Sequence, residues 1–196
     1  KLYITEKDID SLLKNDNADN PNVTMSSDSI CYCIYTSGST GKPKGTLLTH
    51  ANVSNYVNNN NNNNVVHRII KEDFKNIVSV TTVGFDIFVT ESLLPLVNGM
   101  KIILANEEQA KLQSKLNTLI NKNPADVIQT TPTKLKSLVA DKEHTDFLKK
   151  FKVIILGGEA LEASFVEELR EFTDAKIFDI YGPTETTVWS TNAQIK

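Results

Sequence analysis

The feature that most constrains this chain is the alternation of short apolar, β-branched runs with stretches of helical periodicity. Runs at 31–36, 77–82, 101–105, 126–130, 152–156 and 176–181 have the length and residue types of strands. Between them, Leu112, Leu116, Leu119 and Ile120 recur at helical spacing within 107–121, and Leu161, Phe165, Leu169 and Phe172 do so within 161–172. Thr131 followed by Pro132 reads as an N-cap and a first-turn proline, opening a helix through Leu135 and Leu138. This order predicts an α/β fold: a mostly parallel sheet flanked by helices and covered on both faces. Ligands of such sheets bind outside the carboxyl ends of the strands. The places to look are therefore just after Thr36, Thr82, Thr130, Leu156 and Tyr181.

The 196 residues suffice for one domain with a sizeable core. A net charge of −3 gives no global basic field, so neither nucleic acid nor an anionic membrane is an expected partner. No apolar run reaches the length of a membrane span, and the charged first ten residues carry no signal-peptide core. Cys31 and Cys33 alternate onto one strand face, too close together for a disulfide framework and without partners at zinc-site spacing. They read as small hydrophobes of a buried strand in a reduced, cytoplasmic protein. Residues 1–28 read as a linker leading into a core at 29–196, with the polar stretch 14–29 as loop. Asn58–Asn64, a run of seven asparagines after a helix-like start at 51–56, has two readings: a low-complexity insertion, or positions of undetermined identity.

The densest chemical signal is the string YTSGSTGKPKG at 35–45. Glycines let backbone N–H groups converge on an anion, hydroxyls add donors, and Lys42 or Lys44 adds charge. This composition suits a phosphate cradle, although a flexible surface loop uses the same residues. It is not a Walker A loop, because Pro43 and Thr46 stand five residues after Gly38 and Gly41, where that motif needs glycine.

The whole string resembles the phosphate-loop signature of the adenylate-forming superfamily, which includes acyl-CoA synthetases, luciferases and the adenylation domains of nonribosomal peptide synthetases. Three further motifs follow in that superfamily's order: Phe85-Asp86, Gly157-Gly158-Glu159, and DIYGPTE at 179–185. The likeness spans about 29–191 and implies part of a large N-terminal AMP-binding subdomain. The implied reaction is attack of a carboxylate on the α-phosphate of ATP, giving an acyl-adenylate and pyrophosphate. Preorganised donors and a metal ion offset the growing phosphoryl charge. By resemblance, Thr36, Ser37, Gly38, Ser39, Thr40, Gly41 and Lys44 hold the β- and γ-phosphates, Thr184 the α-phosphate, and Glu185 binds Mg²⁺. Gly157, Gly158, Glu159, Tyr181 and Gly182 frame the adenine. Asp179 stands where the family has asparagine, so it can accept from the adenine amine but cannot donate. Glu185 also reads as a plain loop acid, Tyr181 as core, and the glycine pair as an ordinary turn.

Asp86 separates subfamilies. A carboxylate pairs well with an α-ammonium and poorly with a fatty acyl chain; it also suits the N-cap of a helix over 87–97. The resemblance makes Asp86, Ile87, Thr90, Gln129, Ile155, Gly157, Ile180, Val188 and Trp189 the pocket lining. Their bulk favours a small amino acid, glycine first and alanine second, similar to glycine-activating domains. The aminoacyl-adenylate is then expected to pass to the phosphopantetheine thiol of a carrier domain within a larger synthetase. A stand-alone acyl or aminoacyl carrier-protein ligase and a non-catalytic nucleotide-binding remnant stay open. The C-terminal subdomain, with the family's mobile lysine, is expected to be absent here. The 196-residue chain by itself should therefore bind nucleotide weakly and make little aminoacyl-adenylate. Hydroxamate trapping measures this, and robust product from the isolated chain contradicts it.

Overall fold

A computed structural model describes residues 6–12, 14, 19–20, 22–37, 41–58, 65–70 and 74–196. After helix α1 (Glu6–Leu12), strands β1 (Ile30–Thr36) and β2 (Lys44–Thr49) form an antiparallel hairpin, and α2 (His50–Val57) follows directly. Thr49 starts α2 with a capping box: its hydroxyl takes the Asn52 amide while the Asn52 side chain returns to the Thr49 N–H.

The main sheet has six strands: β3 (Asn76–Ser79), β4 (Lys101–Leu104), β5 (Val127–Thr130), β6 (Val153–Gly157), β7 (Lys176–Tyr181) and β8 (Thr191–Ile195). Their order is β4-β3-β5-β6-β7-β8, all parallel except β8. The chain passes from β3 to β4 on one side, then returns across β3 to β5 on the other. This makes the carboxyl ends of β3 and β5 a topological switch point, the usual ligand crevice of such sheets. The predicted mostly parallel α/β sheet is therefore found.

Helices α3 (Ile87–Glu91), α4 (Leu93–Val97), α5 (Glu107–Lys111), α6 (Gln113–Lys122), α7 (Pro132–Leu138) and α8 (Ala163–Arg170) connect the strands. Thr131 caps α7 with Pro132 in its first turn, as predicted. Two predicted long helices are broken. The one over 87–97 splits at Ser92, which leaves helical geometry with ψ −77° and whose hydroxyl donates to the Phe88 carbonyl. The one over 107–121 splits at Leu112, in extended backbone with ψ 121°.

Both sheet faces are buried. Ile154 and Leu156 point into one cluster with Leu116, Ile120, Leu135 and Phe165; Val153 and Ile155 point into another with Val127, Phe178, Ile180 and Trp189. An unbroken apolar run such as VIIL is what two buried faces require. The hairpin differs. Cys33 is exposed and Cys31 half-buried, beside exposed Tyr35 and Leu47, because this two-stranded sheet is covered on one face only. The buried-strand reading of the cysteines is corrected accordingly.

The amino-terminal edge of the sheet is pinned by Asp126. Its Oδ2 accepts from the Lys75 and Asn76 amides at 2.6 and 3.1 Å, and its Oδ1 pairs with Lys152 Nζ at 2.9 Å. Burial raises this carboxyl, but those donors outweigh it and the net shift is downward. A depressed carboxyl stabilises the fold above its unfolded pKa, and the contribution is lost as pH falls through the folded value. Asp126→Ala should cost about 1–3 kcal/mol near neutral pH by stranding two amides, and flatten the acid limb of stability. Urea titrations of both proteins across pH 3–7 measure this.

Candidate active site

A cavity of about 540 Å³ opens at the carboxyl ends of β3, β5, β6 and β7. Thr81, Thr82 and Asp86 follow β3, Thr131 and Lys134 follow β5, Gly158 and Glu159 follow β6, and Gly182 to Thr184 follow β7. A wider cleft of about 1200 Å³, bordered by α2 and Glu185, lies beyond it. The segment 184–190 is the wall between them, and Trp189 touches both.

Asp86 stands at the N-cap of α3 without making a side-chain capping bond. Its carboxyl is half-buried, and burial pushes its pKa up. The Thr184 hydroxyl and the Ile87 amide pull it partly back, while the charge of Glu185 adds to the rise. The structure thus brings Asp86 together with the adjacent pair Thr184 and Glu185, which lie far from it in sequence. Glu185 is exposed, in the 3₁₀ turn Thr184–Thr186.

The wall is tightly built. Trp189 Nε1 donates to Gln129 Oε1 at 2.8 Å, and Gln129 Nε2 donates to the Ile87 carbonyl at 3.2 Å. Gln129 and Ile155 are fully buried, and Ile180, Val188 and Trp189 nearly so. Gly157 faces this cluster. A Cβ there would lie 2.4 Å from the Ile180 carbonyl oxygen and 2.7 Å from Trp189 Cη2. Packing within the protein therefore demands this glycine. Gly158 adopts φ +84°, a left-handed turn that favours glycine. A Cβ on Gly182 would meet the Val188 carbonyl oxygen at 2.2 Å. That close approach accompanies positive φ at Thr187 and Val188, +67° and +68°.

The remaining predicted residues are placed as follows. Thr36 ends β1 opposite Lys44, and β2 packs beside the Thr184–Thr186 turn, so the loop stem adjoins Thr184 and Glu185. Ser37, Gly41 and Lys44 are exposed; Gly38, Ser39 and Thr40 lie outside the described residues, as do 59–64 of the asparagine run. Glu159 accepts from the Thr133 amide at 3.1 Å, tying the β6 turn to α7. Tyr181 is two-thirds exposed at the end of β7. Asp179 is half-buried in mid-strand opposite Ala193 and is not among the cavity-lining residues. Thr90 is buried, its hydroxyl 2.6 Å from Tyr56 Oη.

Several residues of the site escaped the sequence reading. Tyr32, from β1, packs on the same cluster with a buried hydroxyl that has no partner among the described residues and is pushed up to about 12, by burial and then by Asp86. Glu91 is fully buried, and Lys134 reaches from α7 to the Val80 carbonyl. Only tertiary contacts give these residues their place.

The family model described as AMP-binding enzyme matches residues 2–196. The chain belongs to that family. It is 34% identical over 193 residues to the dimodular nonribosomal peptide synthase of Bacillus subtilis, covering 98% of this chain and 8% of that protein. Tyrocidine synthase 3 of Brevibacillus parabrevis is 30% identical over 84% of this chain and 2% of its own length. Among solved structures, AB3403, a four-domain nonribosomal peptide synthetase bound to AMP and glycine, superposes with a TM-score of 0.71 at 30% identity, over 86% of this chain and 12% of that one. The N-terminal subdomain of NpsA from Klebsiella oxytoca, in complex with 3-hydroxyanthranilyl-AMSN, shares the fold with a TM-score of 0.78 at 19% identity, over 95% of this chain and 46% of that one. The chain thus spans a small part of the curated relatives, and its fold is that of an N-terminal subdomain of adenylate-forming enzymes.

The wall's packing makes a prediction. Gly157→Ala should cost about 1–3 kcal/mol, since the strand and Trp189 must shift to admit a methyl group. Gln129→Leu should cost about as much by leaving the buried indole N–H without an acceptor. Thermal unfolding of each variant, with Trp189 fluorescence as the local probe, tests both.

Proposed function

We propose that this chain is the ATP-handling and substrate-selecting core of an enzyme that activates a small amino acid, glycine before alanine, as its aminoacyl-adenylate. On this reading 29–196 is part of the large subdomain. The product passes to the phosphopantetheine thiol of a carrier domain in a larger, cytoplasmic synthetase. The observation that carries the substrate class is the filled wall behind Asp86. Gln129, Ile155, Ile180, Val188 and Trp189 pack to closure there, and Gly157 has no room even for a methyl group. An ammonium group can pair with Asp86, while a side chain larger than a methyl group would press on a wall held by hydrogen bonds.

The roles of the chain's own residues follow. Thr36, Ser37, Gly38, Ser39, Thr40, Gly41 and Lys44 donate to the terminal phosphates. Thr184 donates to the α-phosphate from beside Asp86, close to where the substrate carboxylate must attack. Gly158, Glu159, Tyr181 and Gly182 frame the base, while Asp179, set back in mid-strand, does not reach the cavity. Glu185 fits Mg²⁺: it is an exposed carboxylate beside the phosphate-loop stem, and Mg²⁺ commonly takes one or two carboxylates, completing its shell with phosphates and water. The ion supplies charge neutralisation at the phosphoryl oxygens.

Amino-acid-dependent ATP–pyrophosphate exchange by the full-length protein tests this reading. Glycine should support exchange best; strong exchange with leucine or phenylalanine and none with glycine overturns the substrate class. Asp86→Asn should raise the amino-acid KM on the order of ten- to a hundredfold, the worth of a charge-assisted pair. Burial raises the Asp86 carboxyl, so it turns neutral at a higher pH than an ordinary aspartate. Amino-acid affinity should therefore fall as pH drops through that raised value. The fall should be absent from Asp86→Asn.

A further inference from the structure

Glu91 is the most buried acid of the site, and none of the roles above uses it. From α3 it reaches back over the turn that carries Asp86. Its Oε2 accepts from Ser79 Oγ at 3.0 Å, the Val80 amide at 2.8 Å and the Thr81 amide at 2.9 Å, and its Oε1 accepts from Thr81 Oγ1 at 2.6 Å. Four donors converging on two oxygens call for a carboxylate, which only accepts; a glutamine amide would turn its own N–H₂ towards donors. Lys134 completes the arrangement from α7 by donating to the Val80 carbonyl, and its charge interacts with Glu91. Both backbone polar groups of Val80 are thus held by side chains from two helices.

The turn between these anchors has little else to hold it. Thr82, Val83, Gly84 and Phe85 are all exposed, Val83 at 77% and Phe85 at 63%. Its internal bond, Phe85 N to the Thr82 carbonyl, is long at 3.2 Å, and Asp86 makes no side-chain cap. Besides the Thr184 hydroxyl that meets Asp86 itself, position comes from the ends: Thr81 on one side, α3 on the other, and Glu91 joining them.

We propose that Glu91 is the positioning residue of Asp86: its carboxylate clamps the end of β3 to α3 and so fixes the turn from which Asp86 meets the substrate's ammonium group. The ammonium part rests on the function proposed above; the clamp does not.

The test uses Glu91→Gln and Thr81→Val in the full-length protein. Thr81→Val keeps the side chain's shape and both backbone donors while removing one hydroxyl, so it reports even where Glu91→Gln fails to fold. Hydrogen exchange should rise about tenfold in peptides covering 82–88, and stay unchanged over β6, if one charged hydrogen-bond cluster governs local opening. The amino-acid KM should rise about tenfold in Glu91→Gln and less in Thr81→Val, with the ATP KM within about twofold. In an Asp86→Asn background Glu91→Gln should add nothing to the amino-acid KM. Unchanged exchange over 82–88 in a folded variant overturns the clamp, and so does a joint rise of both KM values. A loosened turn with an amino-acid KM indifferent to every variant, Asp86→Asn included, keeps the clamp and removes the ammonium role of Asp86.

Discussion

Burial of the parallel sheet on both faces is the constraint on which the molecule depends. Once Val153, Ile154, Ile155 and Leu156 are all committed to core, β6 can present nothing polar except at its ends. The same holds for β5 until Gln129, whose amide is admitted to the interior only because Trp189 and the Ile87 carbonyl satisfy it. Chemistry is thereby driven to one edge, and the order of strands sets which residues meet there. The opposite edge is left with a structural task, which Asp126 performs by gathering β3, β5 and β6.

The site is assembled from elements of unequal firmness. β6, β7 and the Trp189 wall are rigid because they are packed. The turn carrying Asp86 is held by a buried acid, and the phosphate-loop stem stands on a hairpin with one open face. The side-chain wall proposed to shape the substrate pocket sits on the packed side; the hydroxyls and lysine proposed to meet the terminal phosphates sit on the looser side. That division matches what each task requires: shape selection needs a wall that does not yield, whereas phosphate binding needs converging donors.

Much of this was legible in the sequence, and the misses share a cause. Six strands and the Thr131–Pro132 cap were read correctly because each is a local pattern, and the ordered motifs pointed to the family whose model matches the chain. β2 and β8 were missed: KGTLLT follows a turn-rich string, and TNAQI lacks an apolar face because it closes the sheet as an antiparallel edge. The breaks at Ser92 and Leu112 interrupt apolar periodicities that look continuous. Gly157 was expected to make room for adenine, yet its nearest neighbours are Ile180 and Trp189. Glu91 and Lys134 had no signal at all, since an acid inside a helix and a lysine near a helix start are ordinary surface residues until the tertiary fold buries them.

Thr187 and Val188 stand side by side at positive φ. Two successive side-chain-bearing residues in left-handed backbone are costly, about 1–2 kcal/mol each, and a β-branched valine is among the least suited to that region. The segment holds because Gly182 admits the Val188 carbonyl and because Ser190 N–H bonds to the Tyr181 carbonyl. Glycine at 188 would ease the backbone while deleting the wall's side chain. At this one position the backbone's preference for glycine and the proposed wall's need for a side chain pull in opposite directions.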